Sequence, residues 1–129
     1  MRDRGSAVLI HNKKVALIKR VKDGLTYYVF PGGGIEKGET PAEATKREAY
    51  EELGINVVVN ECIAEIDYLG KQYFFLCDIV GGTFGTGQAE EYMDKGKGYY
   101  IPMWVDVEYL SSIDVKPRDV ADKIQFLYL

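Results

Sequence analysis

Glu48, Glu51 and Glu52 lie in the stretch PGGGIEKGETPAEATKREAYEELG, residues 31–54 of the chain. On a helix, steps of three and four return to one face, so the three carboxylates gather on a single arc. Arg47 falls between Glu43 and Glu51, four residues from each, and can bridge both; Lys46 is the other cation of the helix. Like charges at these spacings cost only a few tenths of a kcal/mol each, so a solvated acidic face is one reading. A face built for solubility would alternate signs, whereas these three acids have no cation on their own arc. Hard divalent cations such as Mg²⁺ take converging carboxylate oxygens, with phosphate oxygens completing the shell. Gly32, Gly33 and Gly34 bring bare backbone to the same region, where carbonyls can bind a cation and amides can approach a phosphate. The combination points to metal-assisted chemistry on a phosphate.

Such an arc needs a helix with fixed ends. Thr40-Pro41-Ala42-Glu43 supplies a cap residue, a proline in the first turn and a glutamate three residues after the cap, which is a capping box. Gly54 supplies the stop, and Ala42, Thr45, Ala49 and Leu53 form the side facing the core. Ahead of this helix, residues 6–10 and 15–18 flank a polar turn and read as a hairpin. Both strands are almost continuously apolar, which predicts a sheet covered on both faces. Residues 26–30 form a third strand, stopped by Pro31 and a glycine loop. Residues 55–66 and 73–80 are β-rich and turn around Gly70. Residues 81–98 read as a loop, and 99–107 as a strand whose Pro102 belongs at an edge or bulge. Residues 117–129 form a closing helix with Val120, Ile124 and Leu127 at helical spacing. Strands between two helices on opposite faces predict an α/β sandwich.

Gly33, five residues, Glu39, seven residues, Arg47-Glu48-Ala49, one residue, Glu51-Glu52, one residue, Gly54-Ile55 resembles the Nudix box with every fixed position filled. Phe30-Pro31-Gly32 is similar to the usual lead-in, and the strand order fits nearly the whole chain. The resemblance to the Nudix (MutT-like) hydrolase family implies a mixed β-sheet between helices, an α/β/α sandwich, as one domain over residues 1–129. It also implies hydrolysis of a nucleoside diphosphate linked to another moiety, with Mg²⁺ or Mn²⁺ as cofactor. By the same resemblance Glu48, Glu51 and Glu52 are metal ligands, with the Gly32 carbonyl as a backbone ligand. Either Glu48 or Glu52 orients or deprotonates the attacking water. Arg47 steers the acids by salt bridges, and Glu39 braces the glycine loop. Bound cations then neutralise diphosphate oxygens and fix a water in line with the scissile P–O bond. No cysteine or serine stands in the acidic motif as a nucleophile, so attack by water is direct.

Outside the box, Arg20 resembles a family position that contacts substrate phosphate or ribose, against the alternative of a surface cation. Gly33, Gly34 and Tyr28 are placed with the substrate, Tyr28 or its neighbour Tyr27 stacking on a base while the other packs the core. Glu90 and Glu91 are candidates for a late carboxylate brought to the metal or water. His11 reads as a turn residue and Trp104 as sheet packing. The proline that marks the ADP-ribose type would fall near Lys71 and is absent. A catalytically idle nucleotide or metabolite sensor on the same fold is the alternative; the intact acid set argues against it.

At 129 residues the chain is expected to form one domain. With 47% hydrophobic and 28% charged residues it reads as a soluble globular protein. A net charge of −4 argues against a nucleic-acid polymer as partner. No apolar run suits a bilayer, and the charged Met1-Arg2-Asp3-Arg4 leads straight into a strand, so a cytoplasmic setting without a membrane partner is expected. The expected partner is a small nucleoside diphosphate derivative, and a homodimer stays open. Cys62 and Cys77 read as reduced, half-buried thiols whose adjacency depends on hairpin register.

Overall fold

A computed structural model describes residues 2–87, 93–94 and 98–129. Strands β1 (Arg4–His11) and β2 (Lys14–Lys22) meet at a tight turn in which Asn12 and Lys13 both take positive φ, 51° and 60°. That turn matches the right-handed twist of the flanking strands. β1 and β2 pair only at Ile10↔Val15 and His11↔Lys14. The earlier half of β1 turns away and pairs in parallel with β6 (Lys71–Gly82), from Arg4↔Gln72 to Leu9↔Cys77. The sheet therefore splays at β1. One arm holds β4 (Gly32–Gly34), β1, β6 and β5 (Ile55–Asp67); the other holds β9 (Val115–Lys116), β3 (Leu25–Val29), β2, β8 (Gly98–Asp106) and β7 (Met93–Asp94).

Side-chain alternation along β1 and β2 explains their continuous apolar character. Ala7, Leu9, Ala16 and Ile18 face α1 (Pro41–Leu53) and join Ala49, Leu53, Ile55 and Val57. Val8, Val15 and Leu17 face α2 (Arg118–Tyr128) and join Phe30, Phe74, Val120, Ala121 and Ile124. Both faces are covered, and the molecule is an α/β/α sandwich with a mixed, curled sheet.

Several expectations need correction. Gly32–Gly34 is not a loop but strand β4, antiparallel to β1 at Arg4↔Gly34, Gly5↔Gly33 and Ser6↔Gly32. Part of the stretch expected to be loop, 81–98, is strand: β6 runs through Gly82, and β7 pairs with β8. The 3-10 turn Val107–Ser112 and the two-residue β9 carry too few residues for a periodic signal. In α1 the buried alanines are Ala44 and Ala49, and Ala42 is half-buried. In α2, Ala121 takes the inner place expected for Leu127, which is 49% exposed. Cys62 lies opposite Phe75 and Cys77 opposite Val59, because register shifts interrupt β5 between Val59 and Ala64. Both thiols are free, Cys62 exposed and Cys77 buried, and burial pushes the Cys77 thiol up to about 12. No helix among the described residues is long and apolar enough to cross a membrane.

Candidate active site

The helix carrying the acids is fixed at both ends. Thr40 Oγ1 accepts from the Glu43 N–H at 3.1 Å, and Glu43 Oε1 accepts from the Thr40 N–H at 2.8 Å. At the other end Gly54 takes φ 77° and donates its N–H to the Tyr50 carbonyl, a conformation that any side chain would strain. The cap occupies the Glu43 carboxylate, so Arg47 does not bridge to it.

Arg47 turns elsewhere. Its Nε and Nη2 donate to the two oxygens of Glu39 at 2.7 and 3.0 Å, a bidentate pair. Nη1 donates to Glu48 Oε2 at 2.9 Å and to Glu51 Oε2 at 3.2 Å. Nη2 also donates to the Gly34 carbonyl at 3.0 Å. The acid arc is therefore not free of cations, as its spacing suggested, because the long arginine side chain folds back over it. The side-chain hydrogen bond from Arg47, followed by the Glu36 N–H, holds the Glu39 carboxyl down to about 2. Glu39 in turn raises Arg47 further above its usual range.

Glu52 points the other way, and its Oε1 accepts from the Gly32 N–H at 2.6 Å. Burial pushes its carboxyl up to about 8; the Gly32 N–H and Arg4 pull it back, while Glu48 and Glu51 add to the rise. Glycine leaves room for the Glu48 carboxylate where β4 passes the helix. A Cβ at Gly33 would lie 2.3 Å from the Glu48 carboxylate. The structure thus brings together Gly32, Gly33, Gly34, Glu39, Arg47, Glu48, Glu51 and Glu52.

Among the described residues, no three His, Cys, Asp or Glu side chains already stand close enough to hold a metal ion. Glu48 and Glu51 are tied to Arg47, and Glu52 to β4. The donor set nonetheless fits a hard cation: carboxylate oxygens lie against a strand stripped of side chains, with the Gly32 carbonyl beside Glu52. Burial raises the Glu52 carboxyl there, and a nearby positive charge would relieve that cost.

The remaining candidates are placed as follows. Arg20 lies between Tyr27 and Tyr100 on neighbouring strands. Its guanidinium carbon is 3.9 Å from the Tyr100 ring centre and 5.7 Å from that of Tyr27, a cation–π arrangement. Tyr28 packs against the α2-side cluster, away from that face, so of the two tyrosines Tyr27 is the one beside Arg20. Trp104 packs on Phe84 with ring centres 5.1 Å apart, as expected of a sheet-packing residue, and His11 is exposed in its turn. Glu90 and Glu91 lie outside the described residues.

One feature had no local sequence signal. Where the two arms of the sheet part, a cleft of about 470 Å³ opens between Phe30 and Phe74 on one side and Lys116 and Pro117 on the other. Arg4 and Gln72 also line it. Phe30 and Phe74 meet edge to face, 5.7 Å between centres. Arg4 joins the cleft to the acids, since its Nη2 donates to the Gly32 carbonyl at 3.4 Å. These residues are distant in sequence and meet only through the splay at β1.

The α/β/α sandwich with its mixed, curled sheet is a fold of the Nudix type. Residues 1–124 match the family model described as NUDIX domain, and the chain belongs to that family as one of its hydrolases. An RNA pyrophosphohydrolase of Bartonella henselae is 32% identical over 132 residues, covering 95% of this chain and 69% of that protein. An 8-oxo-dGTP diphosphatase of Buchnera aphidicola is 39% identical over 70 residues, covering 50% of this chain and 56% of that protein. A Nudix hydrolase structure from Nitrosomonas europaea superposes with a TM-score of 0.73 at 16% identity, covering 98% of this chain and 88% of that one, which shows the shared fold.

Proposed function

We propose that the chain, acting as a single domain, hydrolyses a phosphoric anhydride bond in a nucleoside diphosphate linked to another moiety, and that it needs Mg²⁺ or Mn²⁺. The observation that carries this reading is the hydrogen bond from the Gly32 N–H to Glu52, which ties the acid helix to the bare backbone of β4. Glu48, Glu51, Glu52 and the Gly32 carbonyl would hold the cation. When bound, that ion supplies neutralisation of diphosphate oxygens and acidification of a water.

Every other part of the reaction falls to the protein. Arg47 fixes Glu48 and Glu51 through Nη1 and is itself anchored on Glu39. Glu48 or Glu52 accepts the proton of the attacking water. Phe30 and Phe74 offer apolar walls to a nucleoside on the α2 side of the sheet. Arg20, beside Tyr27 and Tyr100 on the other face, is not among the residues lining that cleft. Direct attack by water leaves no covalent intermediate.

The names of the relatives widen the substrate panel without choosing within it. Interior RNA linkages are diesters, so an RNA substrate for this chemistry must offer an anhydride at its 5′ end. Turnover should be measured with Mg²⁺ on nucleoside triphosphates, dinucleoside and sugar-linked diphosphates, and RNA carrying a 5′-terminal triphosphate. Cleavage of any anhydride, with loss of activity on chelation, supports the reading. Tight binding of a nucleotide without turnover of any of them would favour the sensor.

A further inference from the structure

Arg4 touches both halves of the site. Its side chain lines the cleft, and its Nη2 reaches the Gly32 carbonyl at 3.4 Å. A structural reading makes it a strap from β1 to β4, but those strands are already joined at Arg4↔Gly34, Gly5↔Gly33 and Ser6↔Gly32. The strap is also long beside the 2.6 Å bond that Glu52 makes to the same residue, so little holds it. The carbonyl it occupies is the backbone oxygen that stands with the acid arc. A guanidinium and a divalent cation cannot share that oxygen cheaply, because both are positive.

We propose that Arg4 is a substrate-binding residue released by the cation. Its guanidinium holds the Gly32 carbonyl while the acid arc is metal-free, and it turns to a phosphate oxygen of the ligand in the cleft once a divalent cation takes that carbonyl. This rests on the metal reading given above. Two further observations fit an anionic ligand in this cleft. Lys116, whose ammonium lies 5.2 Å from the Tyr27 ring centre, lines it from the opposite arm of the sheet, and the lining cations Arg4 and Lys116 outnumber the one lining acid, Asp67, in a chain of net charge −4. An arginine can also clamp a phosphate with two parallel hydrogen bonds, which a strap to a single carbonyl leaves unused. Cation and substrate are thereby coupled, since binding of the first frees the group that binds the second.

The test compares wild type with Arg4→Gln and Arg4→Lys, using calorimetric titration of Mg²⁺ alone and then of a methylene-bridged, non-hydrolysable nucleoside diphosphate with Mg²⁺ present. Arg4→Gln should bind Mg²⁺ alone at least as tightly as wild type, because a competing cation has gone. The same variant should bind the analogue about tenfold more weakly, the loss expected for a charge-assisted hydrogen bond. Arg4→Lys should fall between, and in turnover KM should rise with kcat little changed. If wild type responds to Mg²⁺ but Arg4→Gln binds the ion less tightly, Arg4 is a strap and the proposal fails. Unchanged analogue affinity in Arg4→Gln would defeat it equally. A wild type that does not bind Mg²⁺ at all would overturn the metal reading, and this proposal with it.

Discussion

The main-chain N–H of Gly32 donates a 2.6 Å hydrogen bond to Oε1 of Glu52, linking strand β4 to the last turn of α1. Through that bond a glycine strand and an acidic helix become one site. It also separates two properties of Glu52, because an amide oxygen can accept from Gly32 as well as a carboxylate can, whereas only the carboxylate carries charge.

Glu52→Gln should therefore fold, keep the Gly32 bond and lose the chemistry. Turnover is expected to fall by about a hundredfold or more, as for removal of a general base or ligand. The Mg²⁺-induced rise in melting temperature should shrink. Circular dichroism melts with and without Mg²⁺, beside a turnover assay, check both.

The same residue sets a pH dependence of stability in metal-free protein. With a folded-state value of about 8 against 4.5, Glu52 costs nothing below pH 4.5, where it is protonated in both states. As pH rises from 4.5 to 8 the unfolded chain releases its proton first, so stability declines, by on the order of 5 kcal/mol at most. Denaturant titrations in chelator across that window should show the decline, and Glu52→Gln should flatten it.

Glu39 acts in a separate window and with the opposite sign. Its carboxyl is held at about 2 by Arg47, so the pair's contribution is complete above pH 4.5 and lost as pH falls toward 2. Glu39→Gln should remove that acid-side loss. Arg47→Lys, which cannot form the bidentate pair, should lower activity by releasing Glu48 and Glu51 from their shared partner. Acid titrations monitored by fluorescence, with kinetics on the lysine variant, check these outcomes.

Two glycines on the paired strands should respond differently to alanine. At Gly33 the added Cβ would meet the end of the flexible Glu48 side chain at 2.3 Å. That carboxylate can move aside, so Gly33→Ala should melt near wild type while its turnover drops. At Gly5 the Cβ would meet the Pro41 carbonyl oxygen at 2.6 Å. Backbone there cannot yield easily, and Gly5→Ala should cost about 1–3 kcal/mol of stability. Equal melting temperatures for the two variants would contradict this assignment of contacts.

Much of this arrangement is legible in the sequence because its signals are local. The capping box, Pro41 and Gly54 mark both ends of α1, and helical spacing alone groups Glu48, Glu51 and Glu52. Continuous apolar runs in β1 and β2 announce a sheet with two covered faces, since Val8 and Leu9 point to opposite helices. What escapes is set by reach and by distant pairing. Arg47 is long enough to fold across the acid arc, which residue spacing on a helical projection does not register. Glycines have no strand propensity, so β4 is a strand only because β1 and α1 receive its bare backbone. The Phe30–Phe74 cleft depends on where β1 changes partners, and register shifts in β5 decide that Cys62 and Cys77 do not face each other.

The central claim is that the Glu48–Glu51–Glu52 arc directs water onto a phosphoric anhydride. A single turnover of a nucleoside diphosphate derivative in ¹⁸O-labelled water with Mg²⁺, read by mass spectrometry of the products, tests it most directly. The account predicts one ¹⁸O in one phosphate product, no labelled or trapped phosphoryl-enzyme, and no reaction in chelator. Efficient cleavage of a simple phosphate monoester with the diphosphate left intact, or a covalent nucleotidyl-enzyme, would contradict it.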